Sequence, residues 1–382
     1  MTFAYWISPD VLDAFGRRKI SDIGSAKVGI GTGNTELFLR LWTEVSYGNI
    51  SFGRSNREIG NLIFAPINKG GSFRKWYGNL DYIINWENDG LRVKEYRDRD
   101  GNKASYPRNL DMQLRESLTW GDISTSMFSL RYSPEGSFFS DVGNSLFIDD
   151  SELQMYVLAY GNSVVFDNLA EIINQTMHFK PGNMMQMPLI IDDNLKPRVS
   201  ALSKENIGLS KIDWDSFETS WDFERHPLVI KGLSRSHWNT ENVTVEECYR
   251  FWSDECDEHF EKLKENEEEL NRIFIDIYGL ADELTPAVAE RDVTVARVYD
   301  TAVDVPAEMR GSSYVLTRAD AVRSLISYTV GCMFGRYSLD EEGIVYAGEE
   351  WDATRYKTFI PDADAIIPVC DDEYFIDDIA AR

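Results

Sequence analysis

The chain has 382 residues, of which 43% are hydrophobic and 13% aromatic, so core material is ample and disorder over most of the length is excluded. Single cores rarely exceed roughly 250 to 300 residues, so this length predicts two or three domains. Residues 1–200 carry 21 basic and 24 acidic side chains, and residues 201–382 carry 18 and 40, giving net charges of −3 and −22. Because an acidic surface repels phosphate, any nucleic acid is expected to bind to the first half.

Membrane and metal sites are not indicated by the sequence. No apolar run approaches the ~18 residues that a membrane-spanning helix needs. The opening residues MTFAYWISPD lack the basic start of a signal peptide, so we expect a cytoplasmic protein without a membrane partner. The cysteines form no C-x-x-C pair, which argues against a disulfide framework or a zinc knuckle. Cys256 and His259 have a spacing seen in metal ligands, but they lie on or beside an apolar stripe, and packing is the favoured interpretation.

Short segments broken by glycine and asparagine dominate residues 20–200, which is typical of β structure. Before them, Ser8 and Pro9 predict the start of a short helix. The alternation in SMFSLRYSPEGSFFSDVGNSLFI predicts a β-hairpin around a turn at residues 133–136. Helical spacing follows, and Gly161 predicts a break between two helices.

The second half changes character after about residue 200. Thr244 and Glu247 form a capping box before an apolar stripe, which predicts an amphipathic helix over residues 245–280. Thr317 and Asp320 predict the start of a second helix in the same way. The predicted inner face of this second helix consists of Val322, Leu325, Ile326, Val330 and Met333.

These patterns predict an α+β fold in two parts. A β-rich domain is expected over residues 1–200, and a mainly helical, acidic region is expected over residues 201–382. No internal repeat is visible in the sequence.

Three glycines at alternate positions, Gly29, Gly31 and Gly33, precede an apolar segment and raise the question of a nucleotide site. A dinucleotide-binding turn needs the spacing G-x-G-x-x-G after a buried strand, with an acidic residue about 20 positions later. The third glycine here comes one residue early, and the sequence contains no Gly-Lys-Ser or Gly-Lys-Thr of a phosphate-binding loop. A tight turn is therefore the favoured interpretation, and no cofactor-binding residue is predicted.

The segment NKGGSFRKWYGN, residues 68–79, interleaves basic and aromatic side chains. Lysine and arginine neutralise phosphates, glycines allow a close backbone approach, and planar rings meet bases, so this pattern suits DNA. A basic surface loop whose aromatic rings pack inward would show the same pattern. Composition alone does not separate the two interpretations.

Several longer stretches are distinctive in their order along the chain: FAYWIS, GIGTGN with FLRLW, NKGGSFRKWYGN, NWENDG, SWDFERHPL, GLADELTP, ISYTVGCMFGRYSLDEEG and YKTFIPD. In this succession they resemble the adenine-specific DNA methyltransferases of type 1 BREX bacteriophage-exclusion systems, the PglX family. Each stretch alone is weak evidence. Together they cover nearly the whole chain, and their shared order makes the resemblance specific.

Members of that family begin with a domain that binds S-adenosylmethionine and carries a catalytic Asn-Pro-Pro-Tyr, whereas this sequence has no two adjacent prolines. The resemblance therefore implies the region downstream of the catalytic domain, with no catalytic residue and no cofactor in this chain. GIGTGNTELF resembles the turn that opens target recognition domains in this family and in type IIG restriction-modification enzymes. Later blocks place the end of that domain near residue 200, and the acidic remainder resembles a spacer. Asn174-Gln175-Thr176 departs from the Asn-Pro-Thr of many closing blocks.

By this resemblance we expect the DNA target recognition portion of an S-adenosylmethionine-dependent adenine methyltransferase in phage defence. The implied partners are double-stranded DNA and other BREX defence proteins. Two alternatives stay open: a protein-docking scaffold that uses the acidic half, and a small-molecule enzyme that uses the glycine turn. The candidate DNA-binding residues are Thr32, Asn34, Arg40, Lys69, Gly70, Arg74, Lys75, Trp76, Tyr77, Asn79, Trp120, Ser124, Ser126 and Arg131.

Overall fold

Helices and two four-stranded sheets occur together in this chain, so the predicted α+β class is confirmed. The strands of both sheets belong to the first half, and the longest helices belong to the second. The structure, a computed structural model, describes residues 8–53, 63–123, 127–174, 176–236, 243–348, 350–369 and 378–379.

The helices begin where capping residues predict them. Ser8 accepts a hydrogen bond from the Val11 N–H at 3.4 Å at the start of the first helix. The longest helix begins with the predicted capping box, in which Glu247 accepts from the Thr244 N–H at 2.8 Å. In chain order the helices are α1 (Pro9–Gly16), α2 (Thr35–Phe38), α3 (Glu87–Lys94), α4 (Ser151–Gly161), α5 (Val164–Ile173), α6 (Pro181–Met184), α7 (Lys196–Asp215), α8 (Pro227–Ser236), α9 (Val245–Tyr278) and α10 (Arg318–Met333).

The predicted break between two helices falls at Gly161, where α4 ends. Ser163 then caps α5 by accepting from the Phe166 N–H at 3.3 Å. A Cβ atom at Gly161 would lie 2.7 Å from the Leu130 side chain, so the lack of a side chain lets this helix end pack closely against Leu130.

The strands are β1 (Ser25–Lys27), β2 (Leu39–Leu41), β3 (Phe64–Asn68), β4 (Tyr82–Asn85), β5 (Ser117–Gly121), β6 (Arg131–Ser133), β7 (Phe138–Phe139), β8 (Gly143–Phe147), β9 (Arg297–Tyr299) and β10 (Val315–Thr317). The first four-stranded sheet has the order β1-β8-β5-β6 and is antiparallel throughout. The second has the order β2-β4-β3-β7, in which the pair of β3 and β7 is parallel. A parallel pair of short strands, β9 and β10, lies in the second half.

The predicted hairpin around residues 133–136 is wrong. β6 pairs with β5 in the first sheet, whereas β7 pairs with β3 in the second sheet. The turn therefore carries the chain from one sheet to the other, and it places the Phe138 ring 4.7 Å from the Trp86 ring between their centroids. Alternation of apolar and polar residues predicts that a strand forms, but it does not choose the strand's partner.

The predicted inner face of α10 is also partly wrong. Val322 and Ile326 are 45% and 58% exposed, whereas Tyr328 and Cys332 are buried. The buried face of α10 is turned from the predicted one toward Tyr328 and Cys332, because Tyr328 stacks on Tyr337 with ring centroids 5.0 Å apart. The capping residues of α10 are as predicted, and the helix runs from 318 to 333.

The largest group of buried side chains draws on both halves of the chain. Tyr156 and Tyr160 of α4 contact Phe274 of α9, with ring centroids 5.4 and 5.6 Å apart. Helix α7 crosses residue 200 and contacts both α4 and α9. The division into two domains at residue 200 stays a prediction, but the two parts share a core.

We expect Phe274→Ala to lower the free energy of unfolding by about 3 to 5 kcal/mol, because it leaves a cavity among fully buried rings. The strands and the helices should still unfold together, as followed by tryptophan fluorescence and far-ultraviolet circular dichroism in urea. Ile326→Ala on the exposed side of α10 is the control, with an expected change within about 0.5 kcal/mol. Separate transitions of the two halves in Phe274→Ala would contradict a shared core.

Candidate nucleic-acid interface

The glycine segment at residues 28–33 lies between two other chain segments. The N–H groups of Gly29 and Ile30 donate to the carbonyl oxygens of Ser140 and Phe139 at 3.2 and 2.9 Å, and the Gly31 N–H donates to Tyr106 at 3.0 Å. A phosphate-binding loop needs such N–H groups free to point at its ligand. This segment therefore offers no cradle for a nucleotide or for S-adenosylmethionine, and a small-molecule enzyme built on it is disfavoured.

Two of the three glycines are required for different physical reasons. Gly33 has a φ of 73°, the left-handed conformation that favours glycine at a turn. Gly29 has no positive φ, but a Cβ atom there would lie 1.9 Å from the Phe139 carbonyl oxygen. Only glycine fits at that close approach of two backbones.

The polar residues beside this turn are buried or bond within the protein. Thr32 is 7% exposed. Asn34 caps α2 by accepting from the Leu37 N–H at 2.9 Å and donates to the Tyr96 hydroxyl at 3.1 Å. Arg40 donates to nearby backbone carbonyl oxygens, one of them that of Leu39 at 2.7 Å. Asn34 is half-buried and has this capping role, and its contact with DNA stays a prediction.

The segment at residues 73–77 packs inward against the helical half, which corrects the expectation that its cations contact phosphates. The Lys75 ammonium lies 2.7 Å from Glu267 Oε2 of α9, and both side chains are 2% exposed. The Arg74 guanidinium lies 2.5 Å from Asp213 Oδ2 of α7. Both positive charges are thus buried and paired, and neither side chain reaches solvent to bind DNA.

The neighbouring aromatic and amide side chains point inward as well. The Trp76 indole N–H donates to Glu267 Oε1 at 2.7 Å. Burial raises the pKa of Tyr77 to about 12, and its ring lies 5.2 Å from the Lys211 ammonium. Asn79 is 8% exposed and donates to the Ser72 carbonyl at 2.8 Å. These side chains fix the loop and are not available for stacking on bases.

Two further candidates, Trp120 and Arg131, are buried. Arg131 is 2% exposed and donates to the carbonyl oxygens of Arg74 and Gly70 at 3.2 and 3.3 Å, and burial lowers its pKa to about 10. The Trp120 indole donates to the Phe179 carbonyl at 2.8 Å. Ser124 and Ser126 lie outside the described residues, so the structure says nothing of them.

Lys69 is half-buried, and its ammonium lies 4.2 Å from the Tyr82 ring centroid. The next residue, Gly70, lies where several loops meet. A Cβ atom at Gly70 would lie 3.2 Å from the Val142 carbonyl oxygen and 3.4 Å from the Gly121 Cα atom. The Asp122 N–H donates to that same Val142 carbonyl at 2.9 Å.

Further backbone contacts add two loops to this place. The Phe179 N–H donates to the Asp122 carbonyl at 2.9 Å, which adds residues 177–180. Residues 106–108 are added through Gly31, because its carbonyl accepts from the Tyr106 N–H at 2.6 Å and a Cβ atom at Gly31 would lie 3.0 Å from Asp141 Oδ2. We call this surface the loop face and define it by residues 70–72, 106–108, 121–123, 140–142 and 177–180.

The exposed side chains of the loop face combine positive charge with apolar and aromatic surface. Arg108 is exposed and lies 5.6 Å from the ring centroid of Tyr106, which is 52% exposed. His178 and Lys180 have side chains 49% and 52% exposed. The exposed apolar side chains are Ile123 at 55%, Val142 at 40% and Met177 at 61%.

Two acidic side chains, Asp122 and Asp141, also belong to the loop face. The pKa of Asp141 is raised, because partial burial outweighs the opposing effect of the positive charges of Arg108 and Lys180. Asp122 is buried and accepts from both His178 and Lys180. Sequence reasoning missed Tyr106, Arg108, His178 and Lys180, although the alternation of MHFK, with Phe179 between two polar residues, was a usable signal.

The whole chain resembles part of two longer proteins. It is 41% identical over 379 residues to "Adenine-specific methyltransferase PglX" of Lacticaseibacillus casei (strain Zhang), a match that covers 98% of this chain. The resemblance drawn from the motifs is thereby confirmed. The chain is also 37% identical over 391 residues to "Adenine-specific methyltransferase BrxX" of Escherichia coli O9:H4 (strain HS). The chain spans 30% of the length of each relative, and it matches no protein-family profile.

The described residues contain neither a candidate membrane-spanning helix nor a candidate metal cluster. Within them, no helix is both long and apolar enough to cross a bilayer. Nor do these same parts of the chain bring together three or more His, Cys, Asp or Glu side chains in a way that could hold a metal ion.

We expect Glu267→Leu to cost about 3 to 5 kcal/mol of unfolding free energy, because it leaves the Lys75 ammonium buried without a partner. The double variant Lys75→Met with Glu267→Leu should lose much less, since the remaining defect is the unpaired Trp76 indole, which costs about 1 to 3 kcal/mol. Urea unfolding measures both values.

Arg17→Ala serves as the control for these variants, because Arg17 and Asp13 form an exposed ion pair worth at most about 1 kcal/mol. Equal losses in the single and double variants at residues 75 and 267 would show that the two buried charges are not coupled.

Proposed function

We propose that this chain recognises double-stranded DNA for an adenine-specific methyltransferase of a BREX phage-exclusion system. The loop face carries this proposal: loops from distant parts of the first half converge and present cations beside exposed aromatic and apolar side chains. The similarity to PglX and BrxX over 98% and 99% of the chain supports the enzyme class.

The chemistry of the loop face suits a duplex. Arg108 and Lys180 would contact phosphates, which supply most of the affinity of DNA-binding proteins. Tyr106, Ile123 and Met177 would lie against bases or sugars between those anchors. Phosphate contacts fix the position of the protein on the duplex, and contacts to base edges select the sequence.

The charge distribution orients this binding. The helical half carries the net charge of −22 that repels phosphate, so DNA would approach from the side of the sheets. The methyl transfer itself and the S-adenosylmethionine site would lie in parts of the longer enzyme outside this chain. The glycine segment does not fit that cofactor, since the N–H groups of Gly29, Ile30 and Gly31 are bonded to backbone carbonyl oxygens.

A second candidate function is docking of other BREX defence proteins on the acidic half. For either function we propose that the protein acts in the bacterial cytoplasm. The observation that favours it is the exposed side of α10, where Val322 and Ile326 are 45% and 58% exposed. DNA recognition would use the positive charges of the loop face, whereas docking would use the acidic half. Salt-sensitive binding to duplex DNA would therefore favour recognition, and its absence would favour docking.

Arg108→Ala and Lys180→Ala should each weaken duplex binding and reduce the slope of log affinity against log salt by about 0.9, as one phosphate contact is lost. Fluorescence anisotropy with labelled duplexes at several salt concentrations measures this slope. Arg323→Ala, at an exposed arginine of the helical half, is the matched control and should leave the slope unchanged. The same loss in all three variants would contradict DNA binding at the loop face.

The 382-residue chain alone should transfer no methyl group to DNA, because it carries no Asn-Pro-Pro-Tyr sequence. A transfer assay with radiolabelled S-adenosylmethionine and duplex DNA measures this. Methyl transfer by the purified chain would overturn its assignment to a recognition role.

A further inference from the structure

Asp122 brings two basic side chains of the loop face together, His178 and Lys180. Its side chain is 4% exposed, and its Oδ2 atom accepts from His178 Nδ1 at 2.9 Å and from Lys180 Nζ at 2.6 Å. Its Oδ1 atom is buried and has no hydrogen-bond partner among the described residues. A buried carboxylate in this setting depends on His178 and Lys180 for compensation, so both side chains are held in place.

Backbone contacts also fix the segment that carries His178 and Lys180. Phe179 donates its N–H to the Asp122 carbonyl at 2.9 Å, and its own carbonyl accepts from the Trp120 indole at 2.8 Å. Ile123 and His178 form an antiparallel bridge. Because side chains alternate along an extended segment, residues 178 and 180 point to one side while Phe179 packs into the core.

The contact to Asp122 assigns different roles to the two ring nitrogens of His178. Beside an ionised carboxylate, which only accepts hydrogen bonds, Nδ1 is the donor, and Nε2 lies on the opposite edge of a ring that is 49% exposed. In a neutral imidazole Nε2 accepts hydrogen bonds, and in a charged one it donates. Either form is able to pair with a base edge in the major groove.

The cross-strand neighbour of His178 is apolar and exposed. Ile123, its partner in the antiparallel bridge, is 55% exposed. An exposed apolar side chain of this kind suits contact with the methyl group of thymine or with the face of a base. An oriented polar ring beside an exposed apolar side chain is suited to reading a base pair rather than to holding a phosphate.

We infer that His178 is a specificity-determining residue that reads a base edge through Nε2, with Asp122 as the positioning residue that orients its ring. Lys180 contributes a phosphate contact beside it. The inference rests on the proposed function, because it names the part of the loop face that selects the DNA sequence.

Selection of duplexes from a random-sequence pool, followed by sequencing, tests this with the 382-residue chain. His178→Ala and His178→Gln should each relax one base-pair position of the selected motif about 10-fold or more and leave the other positions unchanged. Asp122→Asn should relax the same position, because the ring loses its acceptor. Lys180→Ala should weaken all sequences alike, and His259→Ala on α9 is the matched histidine control that leaves the motif unchanged.

The possible outcomes distinguish a failure of this inference from a failure of the proposed function. If the unmodified chain selects no motif, the proposed function itself fails. If a motif appears and both His178 variants keep it, the inference is overturned and DNA recognition stands. A uniform loss of affinity in the His178 variants, with unchanged base preference, would make His178 a phosphate contact and would also overturn the inference. Thermal melting of each variant confirms that a changed motif comes from a folded protein.

Discussion

The arrangement of the two halves depends on the buried contact of Lys75 and Trp76 with Glu267. Both charged side chains are 2% exposed, and Glu267 uses one oxygen for the ammonium and the other for the indole. Taking two charges out of water costs several kcal/mol per ion, so the pair is tolerable only at good geometry. A helix α9 shifted by one turn would leave both charges unpaired, and this penalty selects a single docking of the halves.

That contact is linked to the loop face through a short chain of bonds. Trp76 forms a parallel bridge with Arg131, and Arg131 donates to the Gly70 carbonyl at 3.3 Å. Gly70 in turn lies against Val142 and Gly121 at the loop face. The helical half therefore supports the loops that we propose to contact DNA, although its own charge keeps DNA away from it. A rigid support of this kind suits recognition, because base contacts need side chains held in fixed positions.

How far the sequence predicts this molecule differs between fold and site. Local signals were reliable: the caps at Ser8 and Thr244, the break at Gly161 and the class of the fold all appear as expected. They were reliable because capping and amphipathic spacing are contacts between residues a few positions apart. Strand partners and the buried arc of α10 were not predictable, since both depend on residues far away in the sequence.

The candidate site shows the same limit more sharply. Lysine, arginine and tryptophan in residues 74–76 suited DNA by composition, yet Glu267 and Asp213 of the other half pair with them. Charge type alone does not tell whether a cation faces water or a carboxylate from a distant helix. The resemblance assigned the recognition blocks to the first half, but the side chains exposed on the loop face include Tyr106 and His178, which were not among the candidate DNA-binding residues.

The sequence by itself determined the fold class, the helix ends and the kinship with adenine-specific methyltransferases, because these follow from short-range patterns and from the order of motifs. Only the tertiary structure decided which basic residues are buried and which face solvent. The physical reason is that burial of Lys75 depends on a partner at Glu267, nearly two hundred residues away. No local pattern around Lys75 contains that partner, and it is the fold that brings the two together.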